Sequence, residues 1–411
     1  MFEYWPEGAR IPVKIWLDRE EYFADPELVR QTENLAKLPF AYKHIVICPD
    51  AHPGFGMPIG GVLAAEGQIV PNAVGVDIGC GMGFVHTNIP ARLLTEVTTP
   101  TGTLAQAIVG QIMRAIPVGF DHHRQKQPSR CLDELAAAEW LSRSPGTLLA
   151  EIERAYYQIG TLGGGNHFIE LQEDEAGKLA IMVHSGSRNF GYKICNYYNN
   201  LAKKLNEKWR SPVPKEWQLA HLPVDSEEGQ TYINWMTTAL NFARENRQQM
   251  MAKVKEIVFE MVAKHFAEAI TVDLEVNAHH NYAALEEHFG KKLWIHRKGA
   301  IRARRGEYGI IPGAMGSHSY IVEGLGNPDS FSTCSHGAGR KMGRQEAKRV
   351  YRMEEVLKDL KSRGVVLGKN QKSDVAEECV WAYKDIDTVI NNELDLIKPI
   401  MKLKTIAVVK G

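Results

Sequence analysis

Five short segments combine a side chain that can bind a metal ion with glycine or other small neighbours. They are Asp77-Ile-Gly-Cys80, Gly163-Gly-Gly-Asn-His167, His184-Ser-Gly-Ser-Arg188, Asn277-Ala-His-His-Asn281 and Cys334-Ser-His336-Gly-Ala-Gly-Arg340. A thiolate, a carboxylate and several imidazoles form a borderline-soft ligand set, which suits zinc, iron, cobalt or manganese better than calcium or magnesium alone. Small neighbours leave room for an ion or a phosphate group and expose backbone N–H groups to it.

The first segment places Asp77 and Cys80 three residues apart. Gly79 and Gly81 let the backbone turn, so that both side chains can face one ion. The alternative is structural: Cys80 is then a small buried hydrophobe, as free cysteines often are, and Asp77 caps a turn. The pair alone leaves both interpretations open.

Four histidines are candidates for further ligands. His167 and His184 each lie at the edge of a strand or loop, among glycine, asparagine and serine residues. His279 and His280 are adjacent, and in a strand only one of them can point to a given face because side chains alternate. The spacing does not decide which one that is. Other histidines are interpreted as structural: His44, His86, His221, His265 and His288.

The segment around His336 can hold a nucleophile. Small residues on both sides let a phosphoryl group approach the imidazole. An imidazole nitrogen can form a covalent intermediate, and the Arg340 guanidinium can hold phosphate oxygens bidentately. From the residues alone, His336 could equally be another metal ligand.

A glycine-rich stretch, Gly160-Thr-Leu-Gly-Gly-Gly165, invites interpretation as a nucleotide-binding loop. It lacks the Lys-Ser/Thr ending of a P-loop and the glycine spacing of a dinucleotide-binding fold. A turn that only needs positive φ stays an open alternative.

The charge balance limits how the chain can meet a nucleic acid. It has 49 basic and 49 acidic residues in 411. Proteins that coat nucleic acid non-specifically carry excess positive charge, because phosphate contacts dominate that affinity. Any such contact is therefore expected to be local, at a basic patch beside a reaction centre. Arg302, Arg304 and Arg305 form one basic stretch, for which a solvated surface is the default interpretation.

Short strands and helices must position these side chains. Strands are predicted at 44–48, 74–78, 182–183 and 405–409, and helices at 134–142, 151–159, 344–360 and 386–396. Residues 120–131 are predicted as a polar loop and 206–228 as an irregular connection. The stretch 233–269 lacks glycine and proline and has apolar residues near helical spacing, which predicts two helices or one projecting arm.

The distribution of the polar motifs along the sequence predicts the domain organisation. They run from residue 50 to residue 410, so they can share one site only if the chain is interwoven. We therefore expect a single α+β domain over 1–411, with central β-sheets surrounded by helices and a mainly helical insertion, the long arm, at about 200–270.

Location is predicted from the absence of targeting signals and from cysteine usage. No run of about 18 apolar residues predicts a membrane span, and residues 1–14 lack a signal-peptide pattern. The six cysteines are scattered without a Cys-x-x-Cys pair, which fits reduced thiols in the cytoplasm.

Taken together and in this order, the segments resemble the RtcB family of RNA ligases. The resemblance runs from Ala41-Tyr-Lys-His-Ile-Val and Pro49-Asp-Ala-His-Pro-Gly to Val409-Lys-Gly411. Its most specific pieces are Val74-Gly-Val-Asp-Ile-Gly-Cys-Gly81, Gly160-Thr-Leu-Gly-Gly-Gly-Asn-His-Phe168, His184-Ser-Gly-Ser-Arg188, Arg297-Lys-Gly-Ala300 and Ser335-His-Gly-Ala-Gly-Arg340. An RtcB-like fold is what this similarity implies.

The resemblance also implies roles for individual residues. The family's ligands for two Mn²⁺ ions match Asp77, Cys80, His167, His184 and His280. The resemblance implies that Cys80 bridges the two ions, and it selects His280 over His279. His336 matches the histidine that attacks the α-phosphate of GTP and becomes guanylylated. Residues that hold the nucleotide match Asn166, Glu170, Ser319, His336, Gly337, Ala338, Gly339 and Lys410.

The implied reaction joins RNA ends. A 2′,3′-cyclic phosphate is opened to a 3′-phosphate, GMP moves from His336 to that phosphate, and a 5′-hydroxyl attacks and releases GMP. Splicing of tRNA and repair of broken RNA present the same ends, so the sequence does not separate these roles. It also leaves protein partners open.

Two departures and two alternatives accompany this expectation. Ala314 stands where relatives often carry serine, so one hydrogen bond to the nucleotide is expected to be missing, at a cost of about 0.5–1.5 kcal/mol. Asn189 stands where a glycine often follows Ser-Arg, and asparagine tolerates left-handed backbone. The alternatives are a metal-dependent RNA-end phosphoesterase that needs no GTP and a ligation-deficient repair paralogue.

Overall fold

Two large β-sheets with helices packed against them form the fold. The structure, a computed structural model, describes residues 1–370 and 374–411. The strands are β1 (Phe2–Tyr4), β2 (Val13–Ile15), β3 (Ile45–His52), β4 (Ile59–Ala65), β5 (Gln68–Ile69), β6 (Gly81–Pro90), β7 (Thr98–Thr99), β8 (Gly102–Thr103), β9 (Phe168–Asp174), β10 (Lys178–Ser185), β11 (Leu222–Pro223), β12 (Val272–His279), β13 (Asn281–His288), β14 (Lys291–Lys298), β15 (Ala300–Arg302), β16 (Tyr308–Ile311), β17 (His318–Gly324), β18 (Thr333–Ser335), β19 (Val366–Gly368) and β20 (Ile397–Lys410).

Helices fill the connections between these strands. The α-helices are α1 (Arg19–Ala24), α2 (Pro26–Ala36), α3 (Pro71–Val74), α4 (Leu93–Glu96), α5 (Leu104–Ala115), α6 (Arg130–Ala136), α7 (Gly146–Gln158), α8 (Arg188–Trp209), α9 (Glu227–Val262), α10 (Arg344–Val350), α11 (Met353–Ser362) and α12 (Ile386–Asn391). Short 3₁₀-helices lie at Glu139–Arg143, Lys215–Trp217, Pro328–Ser330, Val375–Glu378 and Val380–Ala382. None of the helices in the described residues is both long and apolar enough to cross a membrane.

The larger sheet aligns the ends of its strands. Its strand order is β12-β6-β10-β9-β20-β17-β16, and β19 pairs with β20. The register places His184 opposite Phe168, Phe168 opposite Lys410, and Ser185 opposite Gly81. Neighbouring strands lie about 4.8 Å apart. Residues distant in sequence therefore meet at one edge of this sheet.

A second sheet approaches the same edge from another side. Its strand order is β1-β2-β3-β4-β14-β13, and β3 carries Asp50 and His52 near its end. After β14, the short strand β15 pairs with β18, with Ala300 opposite Ser335. His336 follows β18 directly, so this ladder sets the position of its backbone.

A buried arginine joins the second sheet to the segment that leads to β18. The Arg297 side chain on β14 is fully buried and lies against both carboxylate oxygens of Glu286 on β13. Its remaining donors bond Thr333 Oγ1 at 2.9 Å and Phe331 O at 3.0 Å. Because the guanidinium is surrounded by acceptors, its charge is compensated inside the protein.

The long helix α9 holds loops of the larger sheet. It is one continuous helix of 36 residues whose buried side chains extend from Gly229 to Val262, so it packs along the molecule rather than projecting from it. Asn246 Oδ1 accepts from Gly160 N at 2.7 Å. Arg247 Nη1 donates to Gly79 O and to Ser185 O, both at 2.8 Å. These two buried polar residues therefore hold the segments that carry Gly160, Gly79 and Ser185.

The observed elements confirm some sequence predictions and correct others. The strands at 182–183 and 405–409 lie within β10 and β20, and the strand at 44–48 overlaps β3, which begins at Ile45. The strand at 74–78 is wrong, because Pro71 begins the short helix α3 there. The helix at 344–360 is two helices, α10 and α11, and the helix at 134–142 is α6 followed by a 3₁₀-helix. The helices α2, α5 and α8 were not predicted.

We predict that Glu286→Ala lowers the free energy of unfolding by about 3–5 kcal/mol, because it leaves Arg297 as an unpaired buried charge. Urea denaturation measures this change. The control is Glu66→Ala, which removes the half-exposed Lys291 pair at 3.0 Å and should change stability by less than about 1 kcal/mol. Equal effects of the two substitutions would contradict the prediction.

The same pair predicts a pH dependence. Burial opposes ionisation of Glu286, but the Arg297 charge, the hydrogen bonds from His288 and Arg297 and the Arg304 charge together outweigh burial and hold the pKa of Glu286 below its usual value. A lowered folded-state pKa gives stability that is complete above the pKa of an unfolded glutamate, about 4.3, and is lost as the pH falls. The stability difference between wild type and Glu286→Ala should therefore shrink on acidification below that value.

Candidate metal and nucleotide site

A buried thiol and two imidazoles lie together at the edge of the larger sheet. Cys80 Sγ is 3.2 Å from His184 Nε2 and 3.5 Å from His167 Nε2. All three residues are buried, and their ligand atoms lie within 4.8 Å of one another. Ligand atoms about 2.0–2.3 Å from one tetrahedral ion are roughly 3.3–3.8 Å apart. These spacings therefore fit a shared ion with little movement.

Two further side chains extend this cluster on opposite sides. Asp77 Oδ2 lies 3.0 Å from His167 Nε2. His280 Nε2 lies 3.4 Å from His184 Nε2. The five residues predicted as metal ligands thus form one continuous group, in which Cys80 contacts both inner histidines.

Backbone carbonyls set the orientation of the two inner imidazoles. His167 Nδ1 lies 2.9 Å from Leu162 O, and His184 Nδ1 lies 3.0 Å from Asn166 O. A ring nitrogen that donates to a carbonyl leaves the other nitrogen unprotonated in the neutral ring, the usual arrangement of a metal-binding histidine. Both Nε2 lone pairs are then directed into the cluster.

Burial controls protonation in this cluster. It lowers the pKa of His184 and of His280 well below the usual value, so both rings are neutral. Burial and then the neighbouring Asp77 raise the pKa of the Cys80 thiol well above its usual value. A bound cation reverses this preference because it stabilises the thiolate. The donor set therefore fits a divalent metal ion.

The adjacent histidines point to different partners. β12 ends at His279, whose Nδ1 lies 3.0 Å from Arg247 Nη2. His280 lies between β12 and β13, and its backbone N donates to Cys80 O at 2.8 Å. His279 is therefore a structural partner of α9, whereas His280 faces the cluster.

His336 stands next to the cluster and is held by a carboxylate. Its ring centroid is 4.7 Å from that of His280. His336 Nδ1 donates to Asp50 Oδ2 at 2.7 Å, and the His336 backbone N donates to the same oxygen at 3.1 Å. Asp50 is fully buried. Burial opposes its ionisation, but the His336 charge and hydrogen bonds outweigh burial and lower the pKa of Asp50.

The Asp50 contact was not predicted from the sequence. Asp50 stands in the motif Pro49-Asp-Ala-His-Pro-Gly, and 286 residues separate it from His336. The available signal was a carboxylate within one of the quoted motifs. Its effect is chemical: because Nδ1 donates to Asp50, Nε2 of the neutral ring is left with the free lone pair.

A pocket opens beside His336 and contains most of the predicted nucleotide residues. Those in its wall are Asn166, Glu170, His336, Gly337, Ala338, Gly339 and Lys410, together with Ala314. Ser319 lies behind the wall, where its Oγ accepts from Gly313 N at 3.3 Å. Glu170 accepts from Gln172 Nε2 at 2.7 Å, and burial raises the pKa of Glu170 to about 7.

Arg340 was expected to hold phosphate oxygens, but in the structure its donors bond to the protein. Its guanidinium donates to Met342 O, Tyr383 Oη and Glu377 O at 2.8–3.0 Å, so it supports the wall. Arg344 is more exposed, and its Nη2 lies 3.5 Å from Asn166 Oδ1. Sequence reasoning did not single out Arg344, Tyr383, Glu378 or His52, all of which line the pocket.

The left-handed backbone conformation expected at Asn189 is found at the preceding residue, Arg188. Arg188 has φ 57°, whereas Asn189 lies in the first turn of α8 and donates from Nδ2 to Glu151 Oε2 at 3.1 Å. A side chain at Gly163, whose φ is +94°, would lie 2.1 Å from Arg188 Nη1 and 2.6 Å from His167 Nδ1. Glycine is therefore required where this loop passes the cluster.

Comparison with known proteins shows which family this chain belongs to. The profile of the family described as tRNA-splicing ligase RtcB matches residues 31–411. The chain is 39% identical to the RNA-splicing ligase RtcB of Escherichia coli K12 over 97% of each chain. It is 32% identical to the tRNA-splicing ligase RtcB of Thermococcus kodakarensis, covering 98% of this chain and 95% of the relative. The chain therefore belongs to the RtcB family.

Proposed function

We propose that this chain, an RNA ligase by its family, uses GTP and two Mn²⁺ ions to join RNA ends. One strand ends in a 3′-phosphate or 2′,3′-cyclic phosphate, and the other begins with a 5′-hydroxyl. The observation that carries the proposal is the position of His336, which lies between the cluster around Cys80 and the pocket around Glu170. A reactive imidazole there can reach both a nucleotide and a metal-bound RNA end.

The five clustered side chains are the proposed metal ligands: Asp77, Cys80, His167, His184 and His280. Cys80 contacts both inner histidines, so its sulfur is the proposed bridge between two ions. Bound ions of this kind neutralise phosphate charge and lower the pKa of a bound hydroxyl. Manganese itself is proposed from the family resemblance, because the donor set also suits zinc, iron or cobalt.

His336 is the proposed nucleophile. Nδ1–H donates a hydrogen bond to Asp50, and Nε2 attacks the α-phosphorus of GTP; a P–N bond forms as the bond to pyrophosphate breaks. The GMP then moves from Nε2 to an oxygen of the RNA 3′-phosphate. Attack by the 5′-hydroxyl oxygen forms the phosphodiester and releases GMP.

The floor of the pocket supports guanine as the base. Glu170 is 4% exposed and lies 3.1 Å from Thr405 Oγ1. The Watson–Crick edge of guanine offers an N–H and an amino group as adjacent donors, whereas adenine presents an acceptor there. A buried carboxylate therefore favours guanine. Asn166 and Lys410, with Ser319 behind Gly313, complete the proposed nucleotide set.

We also propose that residues 1–411 act as one ligase domain, with a mainly helical insertion at about 200–270. The contacts of Asn246 and Arg247 with the site loops support this, because they make α9 part of the site's framework. The cytoplasmic location and the missing Ala314 hydrogen bond stay predictions. The Ala314 side chain lines the pocket and offers no polar atom.

Incubation with labelled GTP and Mn²⁺ tests the histidine intermediate. Wild-type protein should become covalently labelled, and His336→Ala should not, because it lacks the attacking nitrogen. The matched control is His265→Ala, an exposed histidine beyond the end of α9, which should label normally. Label on His336→Ala would overturn the role assignment. Processing of the phosphorylated RNA ends without GTP, with no joined product, would instead favour the phosphoesterase alternative.

Asp50→Asn tests the positioning of that nitrogen. The amide can donate to Nδ1 and so favours the tautomer with the proton on Nε2, which cannot attack. We expect the guanylylation rate to fall by roughly 10²–10⁴-fold, as for a comparable carboxylate–histidine pair, while the KM for GTP changes little. A change in KM with an unchanged rate would contradict the tautomer argument.

Glu170→Gln tests the choice of base. At a pH above about 7, the raised pKa of Glu170, the amide keeps the size of the side chain but loses its charge, so preference for GTP over ATP should fall by at least about tenfold, because hydrogen bonds to a charged group contribute about 1.5–3 kcal/mol. Guanylylation and adenylylation rates at equal nucleotide concentration measure the ratio. An unchanged ratio would place the base elsewhere in the pocket.

A further inference from the structure

One aromatic ring is fully exposed beside the site. Phe120 has a relative exposure of 106%, the largest among the exposed apolar side chains. A single apolar side chain on a surface usually needs no explanation, but this ring stands in a loop that is bonded to the segments around the metal cluster. It lies in the predicted polar loop at 120–131.

Hydrogen bonds fix the base of this loop to the metal side of the site. Gly119 N donates to Gly163 O at 2.9 Å, and Arg188 Nη2 donates to Gly119 O at 3.0 Å. Gly163 in turn lies against His167. Gly119 has φ 65°, so the chain turns sharply there and Phe120 is directed into solvent. The far end of the loop is held by His123 N, which donates to Tyr157 O at 2.9 Å.

Two guanidinium groups near the ring can contact a phosphate backbone. Arg124 is exposed in the same loop as Phe120, where Asp121 is the one exposed carboxylate between them, and Arg344 is exposed near Asn166. The basic stretch at 302–305 differs, because Arg302 pairs with Glu307 and Arg304 with Glu286. The loop at 120–131 therefore presents an exposed aromatic ring with an exposed guanidinium, Arg124, four residues further along.

We propose that the Phe120 ring is the stacking platform for the terminal base of the RNA strand that carries the 3′-phosphate. Aromatic side chains interleaved with basic residues hold unpaired bases in this way, since every base has a π-face. That strand is chosen because the loop is joined to Gly163 and Arg188, in the segments that carry His167 and His184, on the side where a phosphate would meet the proposed metal ligands. The proposal rests on the proposed function, since RNA ends must be its substrate.

Fluorescence of a stacked base tests the platform directly. The probe is a short RNA with 2-aminopurine as its terminal 3′-phosphorylated nucleotide, added to full-length protein with Mn²⁺ and without GTP. Wild-type protein should quench the probe. Phe120→Ala should raise the Kd roughly 5- to 150-fold, the loss expected for one base–aromatic stack, and Phe120→Trp should restore both affinity and quenching.

The control substitution is Trp209→Ala. Trp209 is 44% exposed and is the last residue of α8, whereas Arg188 is the first. The helix between them is about 33 Å long. It should leave the Kd unchanged. A second probe carries 2-aminopurine at a 5′-hydroxyl end. Equal affinity of wild type and Phe120→Ala, or quenching confined to the 5′-hydroxyl probe, would overturn the proposal.

Guanylylation separates this proposal from the proposed function. His336 labelling by GTP requires no RNA, so Phe120→Ala should label at the wild-type rate. Failure of wild-type protein to label would contradict the nucleotide chemistry while leaving the stacking result intact. Loss of labelling in Phe120→Ala alone would show a structural role for the loop and would overturn the platform.

Discussion

The contact between the Cys80 thiol and the two imidazoles of His167 and His184 is the constraint on which the site depends. These side chains come from three strand ends of one sheet, and only the register of β6, β9 and β10 brings them within 3.5 Å. A slip of one residue in any strand would turn its side chains to the other face. Because the group is buried, each charge placed there acts strongly on its neighbours.

Further contacts hold this group in place from outside. Backbone carbonyls fix the two inner rings, and Asn246 and Arg247 of α9 bind the loops that carry them. The second sheet contributes Asp50, which orients His336. The larger sheet therefore carries Cys80, His167 and His184 at its strand ends, and the second sheet holds the His336 ring beside them. The pocket lies where they meet.

Sequence reasoning located the chemical groups better than the elements that carry them. Ligand-type residues among glycines stood out because their local composition is unusual, and the structure brings all five together. The choice between His279 and His280 could not follow from spacing, because β12 ends between them. Asp50 was missed because its role depends on a partner 286 residues away. The run at 74–78 resembles a strand because Val74, Val76 and Ile78 alternate, although Val76 is exposed there. The helices α10 and α11 separate without glycine or proline at the break.

The location of bound manganese tests this account most directly. Crystals grown with Mn²⁺ would be measured at the manganese absorption edge. The account predicts two anomalous peaks about 3.5–4 Å apart, with Cys80 Sγ between them and with nitrogen ligands from His167, His184 and His280. Peaks that lie outside coordination distance of Cys80 Sγ, or the absence of any peak beside His336, would contradict it.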